Sequence, residues 1–238
     1  VIQKGENLAS IAKHHGIEVE ALMEMQPEPI KNPNLIRVGQ KLTVIKQGDI
    51  VEGFAPKKPK RGRLSAATRM PKGDGYILRR PHLAYGTDRT ISLLKKVVAR
   101  YRKRAGGGPK LHIGDISKKS GGPLSGHLSH QRGVDIDVGL VLKGKDRNTE
   151  RFVNATKSNL DVRRTWILLH EFLRTGRVRY VFLDYEVQKQ LYHYAEDHGV
   201  SKERLDMYFQ YPRGRGRGHG LVRHWRNHRD HMHVRFRE

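Results

Sequence analysis

Two periodicities organise this chain. Residues 134–138 read Val-Asp-Ile-Asp-Val and residues 231–236 read His-Met-His-Val-Arg-Phe. A period of two predicts strands with branched apolar side chains on one face and carboxylates or imidazoles on the other. Elsewhere the period lengthens to that of a helix. Residues 90–104 place Ile91, Leu94, Val98 and Tyr101 on one stripe before Gly106-Gly107-Gly108. Residues 161–174 do the same with Trp166, Leu169, Phe172 and Leu173, ending at Gly176. Both predict amphipathic helices. A third is expected over 186–198, with Leu191, Tyr194 and Ala195 inward, and Ser201 should cap a short one reaching Phe209. Residues 111–116 and 178–183 predict further strands.

The first 47 residues form a pattern of their own. A short strand at Val1-Ile2-Gln3 precedes the turn Gly5-Glu6-Asn7. A helix carrying Leu8, Ile11 and Ala12 follows, then a second over 19–25, and a closing strand over 41–45. Residues 48–75 include Pro56-Lys57-Lys58-Pro59-Lys60-Arg61-Gly62-Arg63, too poor in apolar residues to build a core, and are expected to be an extended basic linker. The chain therefore divides into a βααβ module (1–47), a linker (48–75) and a mixed α+β domain (76–238). Near its end, Arg213-Gly214-Arg215-Gly216-Arg217-Gly218-His219-Gly220 reads as a flexible basic loop, either a rim over a site or plain surface.

Composition narrows the function classes. Of 238 residues, 30% are charged and the formal net charge is +23. The first 50 residues are neutral, so the excess lies beyond them and favours polyanionic partners such as nucleic acid, anionic lipid or an acidic wall polymer. No apolar run approaches the ~20 residues of a membrane span. The chain starts at Val1 with no charged-then-apolar leader, so a signal peptide is expected to have been removed or to lie outside this sequence.

Fourteen histidines and no cysteine shift attention to metal chemistry. The segment 126–137 holds His127, His130, Asp135 and Asp137, and a distant one holds His228, His231 and His233. A strand pair presenting Asp137 and His233, with His130 from the preceding loop, can close a His-Asp-His set and leave a position open for water, the arrangement of catalytic zinc. Gly133 permits a close backbone approach before the first strand. Asp135 is read either as a substitute ligand or as a carboxylate behind the ligands.

These residues carry two resemblances. Gly5-Glu6-Asn7-Leu8, Ile11-Ala12, Gly16, Val19, Leu22, Asn32-Pro33-Asn34-Leu35-Ile36 and Val38-Gly39-Gln40-Lys41-Leu42 resemble a LysM domain. That implies binding of N-acetylglucosamine-containing glycans between two loops, with Gly5, Glu6, Asn7, Leu8, Asn32, Asn34, Leu35 and Ile36 as candidate contacts. From Tyr76 onward, Arg80-Pro81, Tyr85-Gly86-Thr87, Gly114-Asp115-Ile116-Ser117, Gly126-His127-Leu128-Ser129-His130-Gln131, Asp135, Asp137 and Asp230-His231-Met232-His233-Val234-Arg235 resemble the penicillin-insensitive murein endopeptidases of the LAS group of zinc peptidases. The resemblance implies a central antiparallel sheet flanked by helices and one zinc per chain on His130, Asp137 and His233. Further active-site histidines fall at His127, His228 and His231, and the implied reaction cuts D-alanyl to meso-diaminopimelyl cross-links. It also implies a bacterial cell-envelope location, periplasmic or secreted.

Within that site His231 is the first candidate to accept the water's proton or stabilise an oxyanion. His228 and His127 are next, for protonating the leaving amine. Asp230 either orients one of these rings or pairs with Arg229 or Arg226. Arg80, Tyr85 and Arg132 are the candidate substrate contacts, the arginines gripping a carboxylate or serving as plain surface charge. The rivals are a D,D- or L,D-carboxypeptidase on the same fold, a non-catalytic peptidoglycan-binding protein, and a nucleic-acid binder suggested by basic charge alone. Interleaved stacking aromatics are missing, so no specific nucleic acid is expected. Peptidoglycan is the expected partner, with contacts to anionic envelope polymers or lipid left open.

Overall fold

The computed structural model describes residues 1–15, 19–24, 30, 32–42 and 62–237. In the N-terminal module, α1 (Leu8–His14) and α2 (Val19–Glu24) bury Leu8, Ile11, Ala12 and Leu22 against Ile2. Asn7 caps α1: its side chain accepts from Ser10 N at 2.8 Å, and Ser10 Oγ accepts from Asn7 N at 3.1 Å, so two otherwise orphaned donors are satisfied reciprocally. The two strands expected here are not formed among the described residues. Instead Ile2 N donates to Gln40 O at 3.0 Å and Gly39 N to Ile2 O at 2.9 Å, bringing the two ends of the module together. The closing strand over 41–45 lies mostly outside the described residues, as does Met25.

The larger domain is built on a six-stranded sheet. Its strands are β2 (Tyr76–Leu78), β4 (Leu111–Ile113), β5 (Asp135–Gly139), β8 (His231–Phe236), β6 (Val178–Phe182) and β7 (Val222–Arg223), in that spatial order. The four central strands are antiparallel, but β2–β4 and β6–β7 are parallel. The sheet is therefore mixed rather than antiparallel throughout. The reason lies in the connections: α3 (Asp88–Ala105) intervenes between β2 and β4, and α5 (Tyr185–Asp197) with α6 (Lys202–Tyr208) between β6 and β7. A helical crossover returns the chain to the same end of the sheet and sets the next strand parallel.

The expected linker ends earlier than the basic run suggests. Residues 62–75 belong to the domain: β1 (Thr68–Arg69) pairs with β3 (Tyr85–Gly86), and Met70, 1% exposed, joins the main core. Two apolar anchors, Leu64 and Met70, and short backbone pairings dock a stretch that its charge alone marked as solvated.

In the larger domain the α-helices start at polar caps. Thr87 accepts from Thr90 N ahead of α3, Asp161 from Arg164 N ahead of α4 (Val162–Leu173), Asp184 from Glu186 N ahead of α5 and Ser201 from Arg204 N ahead of α6. Ile136 and Val138 of β5 and Met232 and Val234 of β8 lie in one core with Leu94 and Val98 of α3 and Leu169 and Phe172 of α4. Their alternates, Asp135, Asp137, His231 and His233, occupy the opposite face. The helices thus seal one side of the sheet and leave the other to polar chemistry. Among the described residues no helix is long and apolar enough to cross a membrane.

Candidate metal centre

Strand register creates the centre. Asp137 stands opposite His233 in the β5–β8 pair, and Asp135 opposite Arg235. Gly133, at φ +67°, brings the preceding loop close to Gly86: a Cβ there would fall 2.8 Å from Gly86 Cα. His130 in that loop is a non-glycine residue at φ +61°. This unfavourable backbone is held from two sides, since His130 N donates to Asp135 Oδ2 at 3.1 Å and Nδ1–H to Ile116 O at 3.0 Å.

These constraints aim three atoms at one point. His130 Nε2, His233 Nδ1 and Asp137 Oδ1 are 3.0–3.1 Å apart. The partners of the far ring nitrogens decide the tautomers. His130 uses Nδ1–H for Ile116 O, and His233 uses Nε2–H for Asp135 Oδ1 at 3.0 Å. With both rings neutral in these tautomers, the two near nitrogens and the carboxylate oxygen would all present lone pairs to one another. Such a triangle is repulsive without a positive charge at its centre, and about 3.3 Å is the separation expected of tetrahedral ligands at zinc distances. The donor set thus suits a divalent ion. A looser set, His127, His130 and Asp137, has donor atoms within 4.8 Å of one another. The set containing His233 is tighter and better buried, so it is the stronger candidate.

The electrostatics agree. Burial opposes ionisation of Asp137, but the charges and hydrogen bonds of His130 and His233 outweigh it and hold the carboxyl well below the usual range. Burial likewise opposes a charged ring at His233, yet hydrogen bonds to Asp135 and Asp137 prevail and raise its pKa. The cluster draws positive charge. Asp135 lies behind the three donors rather than among them. It accepts from His233 Nε2, from Arg235 Nε at 2.6 Å and Nη2 at 2.9 Å, and from His130 N. This one carboxylate orients two of the three donor residues.

The remaining histidines surround the triangle. His231 Nδ1–H donates to Asp230 Oδ1 at 2.6 Å, leaving Nε2 3.8 Å from Asp137 Oδ1. Asp230 therefore orients His231. His228 donates Nδ1–H to Arg226 O at 2.6 Å, and burial together with neighbouring His231 and His233 lowers its pKa to about 3. A ring so reluctant to hold a second proton offers a lone pair to the centre. His127 donates Nε2–H to Asp115 Oδ2 at 2.8 Å and holds Nδ1 3.9 Å from Asp137 Oδ2.

Asp115 was missed as a site residue. It is 3% exposed, takes the guanidinium of Arg80 as well as the His127 ring, and is held ionised by them despite its burial. Its sequence signal was an acidic residue placed one glycine beyond the end of β4. Arg80 is therefore committed to Asp115 through Nε and Nη2. Tyr85 is half-buried in β3, and the exposed Arg132 lies along Gly62. The basic 213–220 loop is tied down rather than free: Gln210 Nε2 donates to Arg215 O, Gly214 N to Tyr185 Oη and Arg215 Nη2 to Glu186 Oε1.

In the N-terminal module, Gly5, Glu6, Asn7, Asn32, Asn34 and Leu35 are exposed, with Leu35 at 74%. Asn7 is occupied as the α1 cap, and Asn32 Oδ1 accepts from Asn34 N. Leu8, 1% exposed, belongs to the module's core with Ile36 packed against it, so its side chain is closed to a sugar.

Comparison with known proteins points the same way. Residues 1–45 match the model of the LysM domain, and the N-terminal module is one. A segment of 73 residues is 40% identical to a penicillin-insensitive murein endopeptidase of Haemophilus influenzae, covering 29% of this chain and 25% of that protein. Another of 96 residues is 30% identical to SpoIVD-associated factor A of Bacillus subtilis (40% of this chain, 24% of the relative). A third of 47 residues is 45% identical to an endolysin of Bacillus phage PZA (20% and 18%). The chain spans at most about a quarter of the length of these relatives. Residues 58–195 match the family model of the penicillin-insensitive murein endopeptidases, which takes in His127, His130 and Asp137 but stops short of β8. That match covers more than half of the chain, which belongs to the penicillin-insensitive murein endopeptidase family.

Proposed function

We propose that this protein is a zinc-dependent endopeptidase that hydrolyses the peptide cross-links of peptidoglycan. His130, Asp137 and His233 hold the metal, and the LysM domain holds the enzyme on glycan strands. The observation that carries this reading is the convergence of three buried lone-pair donors, with both imidazoles pinned from behind by Ile116 O and Asp135. Two imidazoles in the set favour zinc over calcium or magnesium. A zinc ion bound there supplies a Lewis acid and lowers the pKa of a water to about 7.

The chain's own groups then have distinct tasks. His231, locked by Asp230 with Nε2 facing the centre, accepts the proton of the attacking water. His228, neutral and buried, accepts a hydrogen bond through Nε2 and helps orient that water. His127, its Nε2–H held by the Asp115 carboxylate, delivers a proton through Nδ1 to the departing amine. Asp115 holds that ring, and Arg80 balances the charge of Asp115. The family suggests that the bond is the one between D-alanine and meso-diaminopimelate, and it suggests work in the cell envelope.

The test is digestion of purified sacculi with and without a chelator, read by mass spectrometry of the muropeptides. Cross-linked dimers should become monomers, the chelator should stop this, and added zinc should restore it. Loss of terminal alanine alone would make the enzyme a carboxypeptidase. Unchanged dimers at full zinc content would reduce the chain to a wall-binding protein.

A further inference from the structure

We propose that Phe152 is the positioning residue for His231, fixing the plane of the imidazole so that Nε2 stays turned towards the Asp137 corner. This rests on the reading above, in which His231 takes part in the reaction. Phe152 comes from a loop with no helix or strand of its own, yet its ring lies against the floor of the site. Two glycines make room for it. A Cβ at Gly114 would fall 2.9 Å from Phe152 Cζ, and one at Gly139 would fall 3.0 Å from Phe152 Cε1. The Gly114 position also abuts Asp137 Cβ at 2.9 Å, so the ring sits beside the metal-binding strand itself.

In that slot the Phe152 ring stacks on His231, with centroids 5.1 Å apart and planes 15° from parallel. The guanidinium of Arg79 lies 4.0 Å from the Phe152 centroid and holds the ring through its π face. The loop is fastened nearby, where Ala155 N donates to Arg229 O at 2.8 Å. The 2.6 Å hydrogen bond to Asp230 fixes where Nδ1 of His231 lies but leaves the ring free to swing about that bond. His228, with its centroid 4.8 Å away and tilted by 42°, does not clamp the plane. Phe152 is the neighbour lying parallel to it, and a parallel stack resists the swing.

The experiment is a double-mutant cycle on purified dimeric muropeptides, using zinc-loaded wild type, Phe152→Ala, His231→Ala and the double variant. Phe152→Ala should lower kcat about 10–100-fold, as expected for a misaligned reacting group. KM should stay within about 3-fold, bound zinc should be unchanged, and Phe152→Tyr should restore most of kcat. In the His231→Ala background the same change should cost less than ~2-fold, because the group it serves is already gone. An equal cost in both backgrounds would overturn the proposal and leave Phe152 a structural residue. Full activity of His231→Ala would instead sink the role given to His231 itself. As a readout independent of turnover, imidazole 15N signals of His231 in the metal-free protein should broaden or double in Phe152→Ala; one sharp set would also count against the proposal. Should Phe152→Ala fold poorly, Phe152→Leu, which keeps the bulk and loses the π face, takes its place.

Discussion

Replacing Asp135 by asparagine is the most informative single perturbation of this molecule. The carboxylate takes four donors: Arg235 Nε and His233 Nε2 on Oδ1, and Arg235 Nη2 and His130 N on Oδ2. Asparagine keeps the shape but retains one oxygen, so two of the four donors would face an amide NH2 group. Each buried donor left unpaired costs about 1–3 kcal/mol, and Arg235 also loses its counter-charge. The total should resemble a broken buried ion pair, about 3–5 kcal/mol. For a domain of this size that lowers Tm by roughly 6–20 °C. Zinc affinity should fall about 10–100-fold, since the orienting partner of one ligand and the backbone anchor of another are weakened together. Thermal unfolding with and without chelator, and zinc titration against a competing chelator, would measure the two effects. A variant that unfolds within 2 °C of wild type (well below the roughly 6 °C lower bound) and binds zinc equally well would refute the idea that Asp135 organises the centre.

Other expectations follow from the same geometry. His130→Ala and His233→Ala should lose bound zinc and about three orders of magnitude in cleavage rate, the several kcal/mol a metal contributes; zinc analysis beside the sacculus assay checks both. Gly133→Ala should cost about 1–3 kcal/mol, because its Cβ would meet Gly86 backbone as well as requiring φ +67°. Gly126→Ala, with φ +80° but open space around it, should cost less, and urea unfolding of the pair separates crowding from backbone strain. His170 has a pKa lowered by burial and then by Arg104, whose Nη1 lies 3.4 Å from its Nδ1. The unfolded chain therefore takes up a proton near pH 6.5 that the folded chain resists. This contribution to stability is intact above that pH and is lost as pH falls through it. His170→Gln should flatten the decline in urea midpoint between pH 7.5 and 5.5, and parallel curves would refute it.

Much of the site was legible because strand alternation fixes faces. Val-Asp-Ile-Asp-Val and His-Met-His-Val-Arg-Phe placed Asp135, Asp137, His231 and His233 on one face, as the register of β5 and β8 bears out. Caps were equally local, and Ser201 stands where expected. What escaped depends on distant segments. The pairing of Asp115 with Arg80 spans 35 residues and has no periodic signature. Phe152 is an aromatic in a loop and shows its purpose only when Gly114 and Gly139 come together. The docking of 62–75 turned on Leu64 and Met70, two apolar side chains in a basic stretch. The parallel edges of the sheet follow from where helices interrupt the chain rather than from any strand's own pattern.

The position of β8 sets how the donor cluster comes together. It follows both β5 and β6 in sequence yet lies between them, antiparallel to both. During synthesis those two strands emerge early, with a gap between them that only β8 can fill. They run parallel to each other, so direct zipping would join them in a register the finished protein never uses. Assembly must wait for contacts spanning about a hundred residues, such as His130 with His233, and such long-range closure is slow. Until β8 seats between β5 and β6, His233 stands apart from His130 and Asp137, so the three donors meet only in the completed sheet.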